Sequence, residues 1–264
     1  MTLQPAPDAS SLDTARAWEV VLQRIEGDLL SGALKPGDHL PAERALAAEL
    51  GVGRSSVREA IRVLEVLGLI RTQSGSGPQS GAIIIARPSG GMAALVRLQV
   101  AAHGFAVRDV VKTRLVLESA VVAELASEAD ATTRAAALAP ARELLDVMEE
   151  PAGGPLTRDE FLTLDQAFHL ALAVASGNEV IAAMMGGLRD SVEQYVRAGA
   201  SFLPSWESTG TRLKSEHRSI VAAIEAGDAA LARERIRDHI ETYHAETNVP
   251  GIPSPGIRSA AHPH

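Results

Sequence analysis

The chain has 264 residues, enough for two modest domains. It is 46% hydrophobic but only 3% aromatic, so its core must be built from Ala, Leu, Val and Ile, which favours packed helices over a sandwich of sheets. It has no cysteine, which excludes a disulfide framework and any thiolate metal site. The net charge of −8 is unevenly spread: residues 1–87 carry 9 Lys+Arg and 10 Asp+Glu, whereas residues 88–264 carry 16 and 23. The acidity therefore sits in the C-terminal part, and the near-neutral N-terminal part leaves room for a local cationic patch that binds nucleic acid. No apolar run is long enough for a membrane span. The start, MTLQPAPDASSLD, lacks the basic region and apolar core of a secretory signal, so a cytoplasmic protein is expected.

Residues 1–13 are rich in Pro, Ala, Ser and Asp and read as a disordered tail. A first helix is expected from Thr14 to Ser31, where Trp18, Val21, Leu22, Ile25 and Leu29 repeat with helical spacing. Gly32 stops it, and Leu34-Lys35-Pro36-Gly37-Asp38 forms a turn. From Leu40 to Ile70 the sequence reads as two short helices joined by a tight turn at Leu50-Gly51-Val52-Gly53. Ser56-x-x-Glu59 has the form of a capping box that would start the second helix. Val57, Ala60, Ile61 and Leu64 follow at i, i+3, i+4 and i+7 and make one apolar face. Arg54, Arg58 and Arg62 recur every four residues and make a cationic stripe elsewhere on the helix. A buried face plus a basic face near the helix N-terminus is what insertion into the major groove requires. An ordinary surface helix with solvated arginines has the same periodicity, so spacing alone leaves both readings open.

Ile70-Arg71-Thr72-Gln73, the Gly/Ser-rich SGSGPQSG and Ala82-Ile83-Ile84-Ile85 read as strand, turn and strand, a hairpin wing. This makes residues 14–87 a winged helix-turn-helix. Arg87 opens the linker, placed at residues 88–91. Beyond it the chain shows almost no strand signal. Helical patterns run over about 92–102, 107–127, 131–149, 157–175, 178–199, 206–226 and 228–247, an all-α bundle of about seven helices within a domain of residues 92–249. Residues 250–264 read as a second disordered tail.

Three histidines of the helical part stand out. Asp165 and His169 are spaced i, i+4, which puts a carboxylate and an imidazole on one helix face. His217 lies near the start of the next-to-last helix, and His239 shares a face of the last helix with Ile236 and Tyr243. Three imidazoles and one carboxylate, without a thiol, suit a divalent transition metal such as Zn, Ni or Mn. Taken singly, each histidine is as compatible with an ordinary core or surface position. Arg114 and Glu118 form another i, i+4 pair, compatible with a plain helix-surface ion pair.

Two resemblances sharpen these readings. LPAERALAAELGVGRSSVREAIRVLEVLGL resembles the helix-turn-helix of the GntR transcription regulators through Leu40-Pro41, Glu43-Arg44, Leu46-Ala47, Leu50-Gly51-Val52, Arg54, Val57-Arg58-Glu59-Ala60, Leu64-Glu65 and Gly68-Leu69. It implies DNA-contacting positions at Arg44, Arg54 and Arg58. Ser55, Ser56 and the wing-tip Gly75 complete the candidate set. Ala42 and Gly53 depart from the family, which usually has Ser or Thr there, and so weaken one helix cap and remove one possible phosphate contact. The stretches from Asp165 to Asn178, Glu216 to Asp228 and Ala232 to His239 resemble the FCD ligand-binding domain of the FadR branch. That implies Asp165, His169, His217 and His239 as metal ligands, and Arg114 as an arginine facing the effector cavity.

The resulting expectation is a transcription regulator, in the first instance a repressor. It would bind a short inverted repeat of double-stranded DNA as a homodimer and sense a small organic acid held between Arg114 and the metal. A metallohydrolase with a fused DNA-binding module is the alternative, since a His3Asp site could activate water. Against it, there is no HExxH motif and no clear general base, and four protein ligands leave few open positions. A constitutive architectural DNA binder would not need the polar cluster.

Overall fold

The structure, a computed structural model, describes residues 9–73, 81–85, 91, 94–96, 98–99, 102, 105–149, 151, 154–201 and 203–247. The chain divides into two compact units, Met1–Met92 and Ala93–His264.

The first unit holds helices α1 (Ala9–Ser31), α2 (Glu43–Leu50) and α3 (Arg54–Val66), followed by strands β1 (Ile70–Gln73) and β2 (Gly81–Ile84). The expected tail of residues 1–13 is corrected in part, because α1 begins at Ala9 rather than Thr14. Adding residues to an existing helix costs far less than nucleating one, so the helix grows back through a stretch whose composition reads as loop. The apolar stripes meet as expected: Val21 and Ile25 of α1 pack with Leu46 and Ala47 of α2 and with Val57, Ala60, Ile61 and Leu64 of α3. β1 and β2 pair antiparallel with Ile70 opposite Ile84, forming the hairpin wing. β2 is also held on its other side, where Leu40 N donates to Ala82 O at 2.8 Å and Ile84 N donates to Asp38 O at 2.9 Å.

The capping-box reading of Ser56 and Glu59 is wrong. α3 starts three residues earlier, with Gly53 as an extended N-cap that makes no side-chain hydrogen bond, and Ser56 is buried inside the helix. Gly51 causes the shift: its left-handed backbone (φ 66°, ψ 28°) ends α2 so tightly that α3 can begin at Arg54. Ala42 likewise caps α2 without a side-chain bond. Each missing cap costs about 0.5–2 kcal/mol. Burial contributes about 1.5–3 kcal/mol for each of Leu46, Val57, Ile61 and Leu64, so packing outweighs the missing caps.

The second unit is an all-α bundle of α4 (Val107–Ser127), α5 (Ala131–Glu149), α6 (Arg158–Ala175), α7 (Glu179–Ala200), α8 (Trp206–Glu225) and α9 (Ala229–Thr247), with residues 94–96 and 98–99 also helical. The fold is mainly α, as expected. α4 packs along α9, and α6 packs on α5 and α7. Leu138, Leu145, Phe161, Phe168, Leu213, Ile220, Ile224 and Ile236 lie in the shared core. α6 is started by a capping box between Thr157 and Glu160, which fixes the face that Asp165 and His169 present. Among the described residues no helix is long and apolar enough to cross a membrane.

Candidate functional site

The first site is the arginine face of α2 and α3. Arg44, Arg54, Ser55, Arg58 and Arg62 are exposed, opposite the buried stripe of α3. Ser56 does not join them: it is only 3% exposed and its amide donates to Gly53 O at 3.1 Å, so it comes off the reading face. The physical reason is the earlier helix start, which turns Ser56 to the core side. Arg58 Nε donates to Glu43 Oε2 at 2.8 Å, and Arg54 Nη2 lies 4.0 Å from the same oxygen. Gly75 lies outside the described residues, as do the rest of the wing tip and the residues 88–90 of the expected linker.

The second site is built by three helices of the C-terminal unit, with Arg114 and Glu118 of α4 beside them. Asp165 and His169 come from α6, His217 from α8 and His239 from α9, and one ligand atom of each lies within 4.8 Å of the others. His169 Nε2 is 3.1 Å from His239 Nε2, and His217 Nε2 is 3.1 Å from Asp165 Oδ1. All three imidazoles thus present the same nitrogen to one centre. Behind them, His239 Nδ1 bonds Glu216 Oε2 at 2.8 Å, and His169 Nδ1 meets Glu118 Oε2 at 2.5 Å. That second contact is a close approach rather than an aligned hydrogen bond.

These carboxylates favour a proton on Nδ1 and leave the Nε2 lone pairs facing each other. Two lone pairs 3.1 Å apart repel unless a proton or a cation lies between them. Two nitrogens each about 2.0–2.1 Å from a shared metal ion stand about 2.9 Å apart at a right angle and about 3.3 Å apart at the tetrahedral angle, so the observed spacing is compatible with a metal. His217 Nε2 has no aligned hydrogen-bond partner among the described residues, as expected of a donor atom reserved for an ion.

The electrostatics agree. Burial pushes His239 down to about 4, against the Glu216 bond that raises it, so its imidazole is neutral near pH 7 and able to ligate. Burial would raise Asp165, but His217 and then His169 hold it well below the usual carboxylate range. Burial also opposes ionisation of Glu118, yet Arg114 and then His169 hold its carboxyl at about 2.

Arg114 is not a surface residue. Its Nε donates to Glu118 Oε1 at 2.8 Å, its side chain is 17% exposed, and it lines a cavity of about 40 Å³ together with Asp165, His169 and His239. A water-sized group occupies about 10–15 Å³ on this measure, so the cavity holds about three such groups. Gln166 and Tyr243 line the same cavity. Arg189 Nε donates to Gln166 Oε1 at 2.9 Å, which orients the amide, and Gln166 Nε2 and the Tyr243 hydroxyl are buried without hydrogen-bond partners among the described residues. Burial and then Asp165 push the Tyr243 hydroxyl above its ordinary range, so it is a neutral donor.

Residues 18–78 match the bacterial regulatory proteins of the gntR family, and residues 109–242 match the FCD domain. The chain belongs to the GntR family. The HTH-type transcriptional regulator LutR of Bacillus subtilis is 31% identical over 216 residues, covering 80% of this chain and 91% of that protein. The Glc operon transcriptional activator of Escherichia coli K12 is 28% identical over 227 residues, covering 85% and 86%. A solved Streptococcus agalactiae GntR structure, 22% identical, superposes with a TM-score of 0.54 over 88% of this chain and 99% of its own, which supports the fold. The protein is therefore a DNA-binding transcriptional regulator with an FCD effector-binding domain, and the metallohydrolase alternative finds no support among these relatives.

In this GntR regulator, sequence reasoning named the four clustered residues and Arg114. It missed what surrounds them. Glu216 behind His239, and Gln166 and Arg189 on the cavity that Arg114 lines, carried no chemical signal in one dimension. Glu118 was visible only as the helix partner of Arg114, not as the carboxylate behind His169.

Proposed function

We propose that this regulator controls transcription through a small carboxylate effector bound beside a divalent transition metal, and that the effector alters the DNA affinity of a homodimer. Asp165, His169, His217 and His239 hold the metal, of which Zn, Ni and Mn all suit three imidazoles and a carboxylate. The observation that carries the reading is the convergence of three buried imidazoles with Asp165, of which Asp165, His169 and His239 line one small cavity together with Arg114. The metal supplies a Lewis-acidic position for one effector oxygen. Arg114 stays charged because Glu118 offsets its burial, and it offers the effector carboxylate its remaining N–H donors. Gln166 Nε2 and the Tyr243 hydroxyl, both without a hydrogen-bond partner among the described residues, suit a further oxygen. The site is largely buried, which strengthens each contact.

At the other site, Arg44, Arg54, Ser55 and Arg58, with Gly75 at the wing tip, contact a short inverted repeat. The effector acts only as far as its affinity differs between the DNA-competent and the released arrangement of the dimer. The test is operator binding by fluorescence anisotropy, titrated with two- to four-carbon hydroxy, oxo and plain acids, on protein of measured metal content and mass in solution. Micromolar release or recruitment by one acid, dependent on metal, supports the reading. No response from any acid by metal-loaded protein refutes it. The sign is read from transcript levels in a deletion strain: a rise marks a repressor, and a fall marks an activator, the role named for the Escherichia coli relative.

A further inference from the structure

Glu43 places a negative charge among the exposed arginines of α3. Its Oε2 accepts from Arg58 Nε at 2.8 Å and lies 4.0 Å from Arg54 Nη2, so a single carboxylate in the first turn of α2 reaches two arginines of α3. Both partners are open to solvent, with side chains 55% and 35% exposed for Arg58 and Glu43. Exposed ion pairs of this kind add little to folding. A carboxylate there also repels phosphates, so it weakens the sequence-independent part of DNA binding.

The geometry gives it a different use. A guanidinium carries five N–H donors in a rigid planar fork. Glu43 engages Nε, on the stem side, and leaves the terminal nitrogens Nη1 and Nη2 of Arg58 for another acceptor. Guanine is read by two parallel N–H bonds to O6 and N7, which the terminal edge supplies. An arginine already held before contact also loses less side-chain freedom on binding. We propose that Glu43 is a positioning residue for base reading: it holds Arg58 by Nε so that the terminal edge faces the DNA, and it restrains Arg54 from phosphate contacts. Non-specific affinity is given up for discrimination. This rests on α3 being the helix that reads the operator.

The test uses the full-length protein, a duplex selected by the wild type from a randomised pool, and a random duplex of equal length. Dissociation constants are measured across a salt series for the wild type, E43A, E43Q, R58A and E43A/R58A. E43A is expected to bind the random duplex about two- to threefold tighter, with a salt dependence steeper by up to about one unit as Arg54 reaches a phosphate. Its ratio of selected to random affinity should fall about three- to tenfold. E43Q removes the charge but keeps an acceptor for Nε, so it should tighten random binding equally yet retain most of the ratio. In the R58A background, E43A should leave the ratio unchanged.

Weaker binding to both duplexes with a lower melting temperature would reduce Glu43 to a structural residue of α2 and overturn the proposal. So would an unchanged ratio in E43A while R58A lowers it. An unchanged ratio in R58A itself would instead remove α3 as the reading helix, and the proposal with it.

Discussion

Glu118→Gln is the sharpest perturbation of the C-terminal site, because one side chain serves two neighbours. Its Oε1 accepts from Arg114 Nε at 2.8 Å and its Oε2 lies 2.5 Å from His169 Nδ1, with the carboxylate 5% exposed. Glutamine keeps the volume and removes the charge. Breaking a buried ion pair at one end costs about 3–5 kcal/mol. Arg114 keeps some access to water and glutamine still offers one acceptor, so the loss here should be about 1–3 kcal/mol. For a domain of this size that lowers the melting temperature by roughly 2–10 °C. Metal affinity should fall separately by about 10–100-fold, because His169 loses the charged group that favours its Nδ1 proton and orients the ring. Thermal denaturation in chelator isolates the first effect, and calorimetric metal titration measures the second. A metal affinity within twofold of wild type would refute the role assigned to Glu118 behind His169. An unchanged melting temperature in chelator would refute its role as counter-ion to Arg114.

Arg58→Ala should cost about 1–3 kcal/mol in operator binding while leaving the melting curve in place, and equal loss on operator and random DNA would contradict base reading by this helix. His169→Ala and His239→Ala should each lower metal content by elemental analysis. Chelating the wild type at a metal concentration of 100 Kd should remove about 2.7 kcal/mol of stability, so an unshifted melting curve would show that the cluster is not a metal site. Arg114→Ala should raise the effector concentration needed for a response about ten- to a hundredfold without altering operator affinity in its absence, and an unshifted dose–response would reject the carboxylate anchor. In metal-free protein, His239 titrates at about 4 against an ordinary 6.5, so the unfolded chain binds the extra proton between these values. Its contribution is therefore fully present above about pH 6.5 and is lost as pH falls towards 4, whereas that of Glu118, depressed from 4.5 to about 2, is lost only below about pH 4.5. A melting temperature flat from pH 6.5 to 4.5 in chelator would contradict the burial assigned to His239.

The elements were legible where one periodicity dominates a long segment. The stripe from Val57 to Leu64 is buried as the spacing requires, α5 starts one residue after Asp130, and the helices flanking Gly177 and Gly227 end and restart two residues on either side of each glycine. Boundaries set by backbone geometry were not legible. Ser56-x-x-Glu59 satisfies the pattern of a capping box, but the left-handed turn at Gly51 decides where α3 starts, and it converts Ser56 from a cap into a buried residue.

The site divides along a similar line. The imidazoles and Asp165 could be named because their residue types are scarce at such spacings and because the resemblance joins helices far apart in sequence. Their supports could not, since Glu216 looks like any solvated helix acid until His239, 23 residues away, is found 2.8 Å from it. The same reasoning applies at the DNA-facing end. Glu43 follows Ala42 as an unremarkable first-turn acid, favourable to the helix dipole. Only the close return of α3 after Gly51 puts its carboxylate on Arg58. In both places a carboxylate from a neighbouring helix fixes one nitrogen of a functional side chain and leaves another for the ligand: Nδ1 against Nε2 in His239, and Nε against Nη1 and Nη2 in Arg58. Residue type shows which chemistry is available, while the partner across the helix gap sets which atom delivers it, and that second choice is made in three dimensions.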